Sequence, residues 1–185
     1  MMKRKLLLFL LCGFPVAAAE NAIDLDPGRT AITFTLADVL HTVHGNFKLK
    51  RGSLKFDSAT GNASGEIVVD VASGDSGNGG RDKRMHKEIL ESARYPEAVF
   101  TADRVSGELA PHGESQLDVH GTFQIHGGSH EMTLHVRADL KGGEVAASTG
   151  FVIPYVQWGM KNPSNFLLRV SDKVEVNIRA TGRVE

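Results

Sequence analysis

Eight histidines, a GDSG tetrapeptide and a run of basic residues are the parts of this 185-residue chain that could do chemistry. In "HTVHGNF", His41 and His44 stand three residues apart, a spacing that on a helical turn would let them share a metal or act as a base and its helper. The same stretch alternates in polarity, and on a strand the two rings point to opposite faces: His41 with Val43, Phe47 and Leu49, His44 with Asn46 and Lys48. The strand reading therefore gives them separate roles. His126 and His130 bracket two glycines, but zinc and copper sites gather three or four ligands. His120 and His126 share an outward parity, His135 alternates with Leu134, and His112 falls in a turn, so they read as scattered surface residues and no metal is expected.

"GDSG", Gly74 to Gly77, matches the tetrapeptide around the nucleophile of chymotrypsin-like proteases and makes Ser76 a candidate. A triad also needs a base, an orienting carboxylate and an oxyanion hole on a supporting fold. Only residues 20–75 would precede Ser76 in a mature chain, and Asn78 stands where that signature has a second glycine. A turn rich in glycine, serine and asparagine accounts for the stretch, and no catalytic residue is expected. Arg81, Lys83, Arg84, Lys87 and Arg94 could receive an anionic head group such as a phosphate. Asp82, Glu88 and Glu91 dilute that field, so a solvated face fits equally well.

The elements that must position these groups follow from hydrophobic period, which is two almost throughout. Ile32, Phe34 and Leu36 share one parity, as do Val43, Phe47 and Leu49; Leu54 and Phe56; Ile67, Val69 and Val71; Phe100 and Ala102. Later runs are Leu117, Val119, Phe123 and Ile125; Met132, Leu134, Val136 and Ala138; Val145, Ala147, Phe151 and Ile153; Val174, Val176, Ile178 and Ala180. Short turn signals separate them, including "HGGS" and "KGGE". Eight or more such strands with short connections imply an antiparallel meander, closed as an up-and-down barrel or stacked as a sandwich. One segment breaks the period: Met85, Ile89 and Ala93 are spaced by four, with Asp82 ahead as N-cap and Pro96 behind, which predicts a short helix over 83–94. The inward aromatics either fill a narrow core or line a slot for a long apolar ligand.

Residues 1–19 read as a secretory signal peptide: Lys3, Arg4 and Lys5, an apolar run from Leu6 to Val16, then Ala17 to Ala19. The run is shorter than the roughly 20 residues a spanning helix needs, and no later segment is apolar enough. Cys12, the lone cysteine, lies inside it behind Leu11, so neither a lipid anchor nor a disulfide is expected. Removing three basic residues from 21 leaves 18 against 22 acidic ones, a net of −4 that argues against nucleic acid. Residues 20–185 then form one domain.

Across that domain, "VHGNFKLKRGSLKFD", "ASGEIVVDVASGDSGNGGRDKRMH", "YPEAVF" and "VHGTFQIHGGSHEMTLHV", closed by a glycine-bounded strand, resemble the YceI-like family. Phe47 after Gly45, the Arg81 and Asp82 pair, Tyr95, Pro96 and Phe100, and Gly121 and Gly127 fall where that family has its own motifs. His86 lies later than the family's histidine, the helix lacks its paired phenylalanines, and "YVQWGMKNPSNFLLRV" replaces a simpler strand. The resemblance implies an all-β, lipocalin-like antiparallel barrel with one short helix. It implies a periplasmic protein that binds or carries a long-chain isoprenoid, quinone-like or polyprenyl phosphate, without being an enzyme. Phe34, Leu36, Phe47, Leu49, Phe100, Phe123, Ile125 and Phe151 are then expected to line the pocket. Arg81, Lys83 and Lys87 would face the head group, and Trp158 would stand at the rim or pack ordinarily. No cofactor is expected beyond the lipid, and a homodimer is compatible with the family. The rival reading is a non-lipid structural or stress-related interaction module with a filled core.

Overall fold

The computed structural model describes residues 20–37, 42–165 and 169–185. The segment read as a signal peptide and His41 lie outside the described residues. Ten strands follow one another: β1 Glu20–Leu25, β2 Ala31–Ala37, β3 Thr42–Asp57, β4 Ala63–Ser64, β5 Glu66–Asp75, β6 Glu97–Ser106, β7 Gly113–Ile125, β8 Gly128–Lys141, β9 Glu144–Ile153 and β10 Val174–Val184. Eight of them, β2, β3 and β5 to β10, pair antiparallel with their neighbours in chain order, and β10 returns to pair with both β9 and β2. The sheet thus closes into an up-and-down barrel, which resolves the choice between barrel and sandwich. The short β1 bridges β10 and β3 where β2 does not reach, and β4 pairs with β3.

The alternation that implied strands is what closes the barrel. On β7, Ser115, Leu117, Val119, Gly121 and Phe123 are buried while Glu114, Gln116, Asp118 and Gln124 are exposed. Full burial of a side chain such as Phe123 is worth about 1.5–3 kcal/mol. Two separate runs of the sequence, Val43 to Leu49 and Leu54 to Phe56, are one strand. Irregularities in its pairing with β5, at Asn46/Lys48 and Leu49/Arg51, switch the inward parity from Leu49 to Phe56. A similar irregularity at Ala102/Arg104 turns Val105 inward on β6.

The helix starts earlier than its spacing implied. It runs Gly79–Arg84 (α1) and continues as a π turn over Met85–Ile89. Asn78, not Asp82, is the N-cap: its side-chain oxygen accepts from the Arg81 amide at 3.0 Å. Asp82 is occupied with Ser76, and the helix ends at Ile89, before Ala93 and well before Pro96. Glu91, at φ 45°, lies just beyond that end.

Because the strands alternate in direction, the connections β2–β3, β5–β6, β7–β8 and β9–β10 share one end of the barrel. The other end is packed solid: Phe56, Val105, Leu117, Val119, Ala138 and Val145 are all buried there.

Candidate functional site

At the end carrying α1 the inward side chains do not meet. A cavity of about 470 Å³ opens there. Its wall comes from Phe34 and Leu36 of β2, Val43 and Phe47 of β3, Ile125 of β7, Ile153 of β9 and Val174 and Val176 of β10. Deeper in, a smaller space of about 80 Å³ lies among Phe100, Phe123, Phe151, Met132 and Leu134, with no polar lining. The two share Phe47, Leu90, Ile125, Ile153 and Val176, so the interior is a slot that narrows from the mouth toward the packed half. Sites for small apolar ligands typically hold about 300–1,000 Å³.

Seven of the eight side chains expected in the wall border one or both of these spaces. Leu49 does not; it is 4% exposed, in the packed core below the slot. Among the aromatics, Phe34 and Phe47 are 5.4 Å apart, and Phe123 stands edge-on to Phe151 at 6.3 Å.

The mouth is built by two connections. From α1 and the π turn come Gly80, Arg81, Arg84, Met85, Ile89 and, just beyond, Leu90. From the segment between β9 and β10 come Tyr155, Met160, Pro163 and Val170, none of which the hydrophobic period could assign. That segment folds back on itself through Trp158 N–H to Pro154 O (3.1 Å) and Met160 N–H to Tyr155 O (3.0 Å), with Gly159 at φ 90°. The Ser171 amide ties it to β2 at Ala37 O (2.9 Å). Tyr155 is buried and its hydroxyl donates to Ser171 O at 2.7 Å. Burial, with the nearby Asp172 carboxylate, pushes that phenol up to about 12, so it stays protonated.

Ser76 is the hub beneath the helix. Its hydroxyl and its amide both donate to Asp82 Oδ1, the amide at 3.0 Å. Arg81 answers from the other side, Nε donating to Ser76 Oγ at 2.7 Å and Nη2 to Ser76 O at 2.7 Å. Burial alone would raise Asp82, but the two Ser76 donors, helped by Arg81 and His86, hold the carboxyl below its usual range. His86 lies against Gly74 O (Nε2, 2.8 Å) and Ser92 Oγ (Nδ1, 3.1 Å). The carbonyl can only accept, so Nε2 carries a proton. The GDSG stretch is therefore a brace. Gly74 is small because a Cβ there would meet the Phe47 ring at 2.5 Å and the Met85 methyl at 3.0 Å.

Of the basic residues that could receive a head group, Arg81 and Arg84 border the cavity. Lys83 and Lys87 are exposed and lie outside the lining. The histidines divide differently from their parity. His120 and His135 are outward and paired with Asp103 (2.7 Å) and Asp118 (2.6 Å), and His112 is exposed in its turn. His126 and His130 are not surface residues. His126 follows the end of β7 at φ 52°, which breaks the alternation and lays its ring 4.8 Å from that of Tyr95. His130 shares the inward parity of Met132 and is stacked on Trp158, 3.8 Å and 6° from parallel. Trp158 also lies 6.1 Å from Phe123, so it packs over the slot's flank. His44 faces outward beside Thr35 Oγ1 at 3.2 Å.

Comparison with known proteins agrees with this geometry. The profile of the YceI-like domain matches residues 24–182. A UPF0312 protein of Vibrio parahaemolyticus is 28% identical over 141 residues, 72% of each chain. One of Pseudomonas syringae pv. tomato is 31% identical over 121 residues, 64% of this chain and 61% of that one, so the match spans about three fifths of that relative. A polyisoprenoid binding domain from Saccharophagus degradans, implicated in plant cell wall breakdown, superposes with a TM-score of 0.71 at 18% identity, over 88% of this chain and 98% of its own. BcnA of Burkholderia cenocepacia does so at 0.68 and 18%, over 85% and 99%. At that identity the likeness speaks for the barrel.

Proposed function

Because the chain belongs to the YceI-like family, we propose that it binds and carries a long-chain isoprenoid, quinone-like or polyprenyl phosphate, in the periplasm. The observation that carries the reading is the slot of about 470 Å³, walled by Phe34, Phe47, Ile125, Ile153 and Val176 and open at one end only. A linear apolar chain suits that shape, since each buried methylene contributes about 0.8 kcal/mol and affinity can accumulate along it. The polyisoprenoid binding domain of Saccharophagus degradans, which shares the fold, supports the same ligand class. The periplasmic placement rests on the basic, apolar and alanine-rich order of residues 1–19.

In this reading the chain enters first and the head group stays at the mouth beside Arg81 and Arg84. Arg81 spends two donors on Ser76. A guanidinium has five, so donors remain for a phosphate or a quinone carbonyl. Nothing in the role requires a reaction, and Ser76 serves by bracing Arg81.

The test is mass spectrometry of a solvent extract of the protein purified from its native host. One prenyl lipid per chain is expected. Empty extracts from repeated native preparations would contradict the proposal and favour the interaction module.

A further inference from the structure

The charges outside the cavity are not spread evenly along the barrel. Beside the mouth, Lys83 and Lys87 on the helical connection and Lys161, Arg169 and Lys173 on the β9–β10 connection are exposed and form no ion pair among the described residues. Each lies within one or two residues of a side chain that borders the cavity: Arg84, Ile89, Pro163, Val170 and Val174. Among the described residues the packed end has exposed cations outside ion pairs too, Lys55, Arg104 and Arg183, but acids outnumber them. Arg29, Arg51 and Lys141 are bridged to Glu144, Glu66 and Asp139. Asp24, Asp26, Glu108, Glu114 and Glu185 lie there without a cationic partner in an ion pair among the described residues. In the two connections that build the mouth, Arg81, Lys83, Arg84, Lys87, Arg94, Lys161, Arg169 and Lys173 outnumber Asp82, Glu88, Glu91 and Asp172, so a domain that is net −4 over residues 20–185 carries a net positive mouth. Val152, 49% exposed and next to the cavity residue Ile153, puts a large hydrophobic side chain at the same cationic end.

We propose that the mouth face docks on a bilayer surface bearing anionic phospholipid, with the barrel axis upright and the packed end directed away. An axial charge asymmetry of this sign orients an approaching molecule before contact. Each Lys or Arg near an anionic surface contributes about 1 kcal/mol, a factor of about five in partitioning. The excess of cations over acids around one opening, with Asp172 set against Lys161, Arg169 and Lys173, suffices for reversible docking, and the opening then faces the phase in which an apolar chain resides. Lys83 and Lys87 acquire a role here that their distance from the cavity wall denies them at the head group. This goes beyond the ligand reading and holds whichever lipid the slot accepts.

The experiment is sedimentation with vesicles free of any isoprenoid, either phosphatidylcholine alone or phosphatidylcholine with about one third phosphatidylglycerol, over a range of salt. Three proteins are compared: wild type, Lys83→Gln/Lys87→Gln, and Lys55→Gln/Arg104→Gln, the last pair exposed and remote from the mouth. Wild type should bind the anionic vesicles only, and progressively less as salt rises. The mouth pair should lower the partition coefficient about 30-fold, while the remote pair, with the same change in net charge, should lower it less than about threefold. Equal loss in both variants would overturn the proposal by showing attraction without orientation. So would binding that ignores vesicle charge, or no binding to either vesicle, as expected if the cationic mouth meets an acidic protein. Solvent extracts of the same variants distinguish this from failure of the ligand reading, because neither pair borders the cavity and both should keep wild-type lipid occupancy.

Discussion

Replacing Ile125 with phenylalanine should have opposite effects on folding and on binding, and the same kind of change at Leu117 should not. Both residues lie on β7 with inward parity, Ile125 bordering both parts of the slot and Leu117 in the packed half. A core already filled loses about 1–3 kcal/mol when a larger side chain is forced in, so Leu117→Phe should lower stability by that amount. At Ile125 the added ring enters open space, and about three more buried carbons contribute at most about 2.4 kcal/mol in the protein's favour. Ile125→Phe should therefore leave the delipidated protein as stable as wild type or more so. The same ring displaces about three carbons of ligand, about 2.4 kcal/mol, and should weaken isoprenoid binding about 50-fold. Urea unfolding of delipidated protein reads the first quantity. Quenching of Trp158, the chain's single tryptophan and 6.1 Å from Phe123, reads the second. Equal destabilisation of the two variants, with Ile125→Phe still binding normally, would refute the division of the barrel into a packed and an open half.

Phe123→Asp places a carboxylate against the apolar inner space and should release the lipid; wild-type occupancy in the extract would show that Phe123 is not in contact with it. Arg81→Gln should weaken binding of a polyprenyl phosphate about tenfold, the scale of one hydrogen bond to a charged group, and leave a quinone of equal chain length within about twofold. A competition assay in which both ligands weaken alike would instead assign Arg81 to bracing alone. Asp82 has a folded pKa held below its unfolded value, so its contribution to stability is present above about pH 4 and is lost as pH falls through the folded pKa. Asp82→Asn should then unfold more easily than wild type at pH 6, with the two urea midpoints converging as pH falls below the ordinary carboxylate range; parallel curves would remove Asp82 from the account.

The barrel was legible because half-buried strands write their two faces directly into the chain. What escaped the pattern has local physical causes. Irregular pairing inside β3 makes Leu49 and Phe56 face inward with different parity, so one strand reads as two. The helix opens on Gly79 and Gly80, residue types that ordinarily signal a break, and its cap is Asn78 because Asp82 is held by Ser76. His126 leaves its parity at a positive φ, and His130 faces inward under Trp158. Tyr155, Met160, Pro163 and Val170 reach the mouth from a segment without period, so only the folded chain reveals them. Leu49 and Phe47 are both apolar and on one strand, yet one is packed in the core and the other borders the slot. Residue type alone carries no record of that difference, which is why an open interior and a filled one were equally consistent with the sequence.

The central claim is that an apolar chain lies in the slot at the mouth end. Photo-crosslinking with an isoprenoid carrying a diazirine near its tail, followed by peptide mapping, tests it directly. Adducts are expected on Phe47, Phe100, Phe123, Ile125 and Phe151, around the inner part of the slot. Adducts confined to the outer strand faces, or to Leu117 and Val119 in the packed half, would contradict the account.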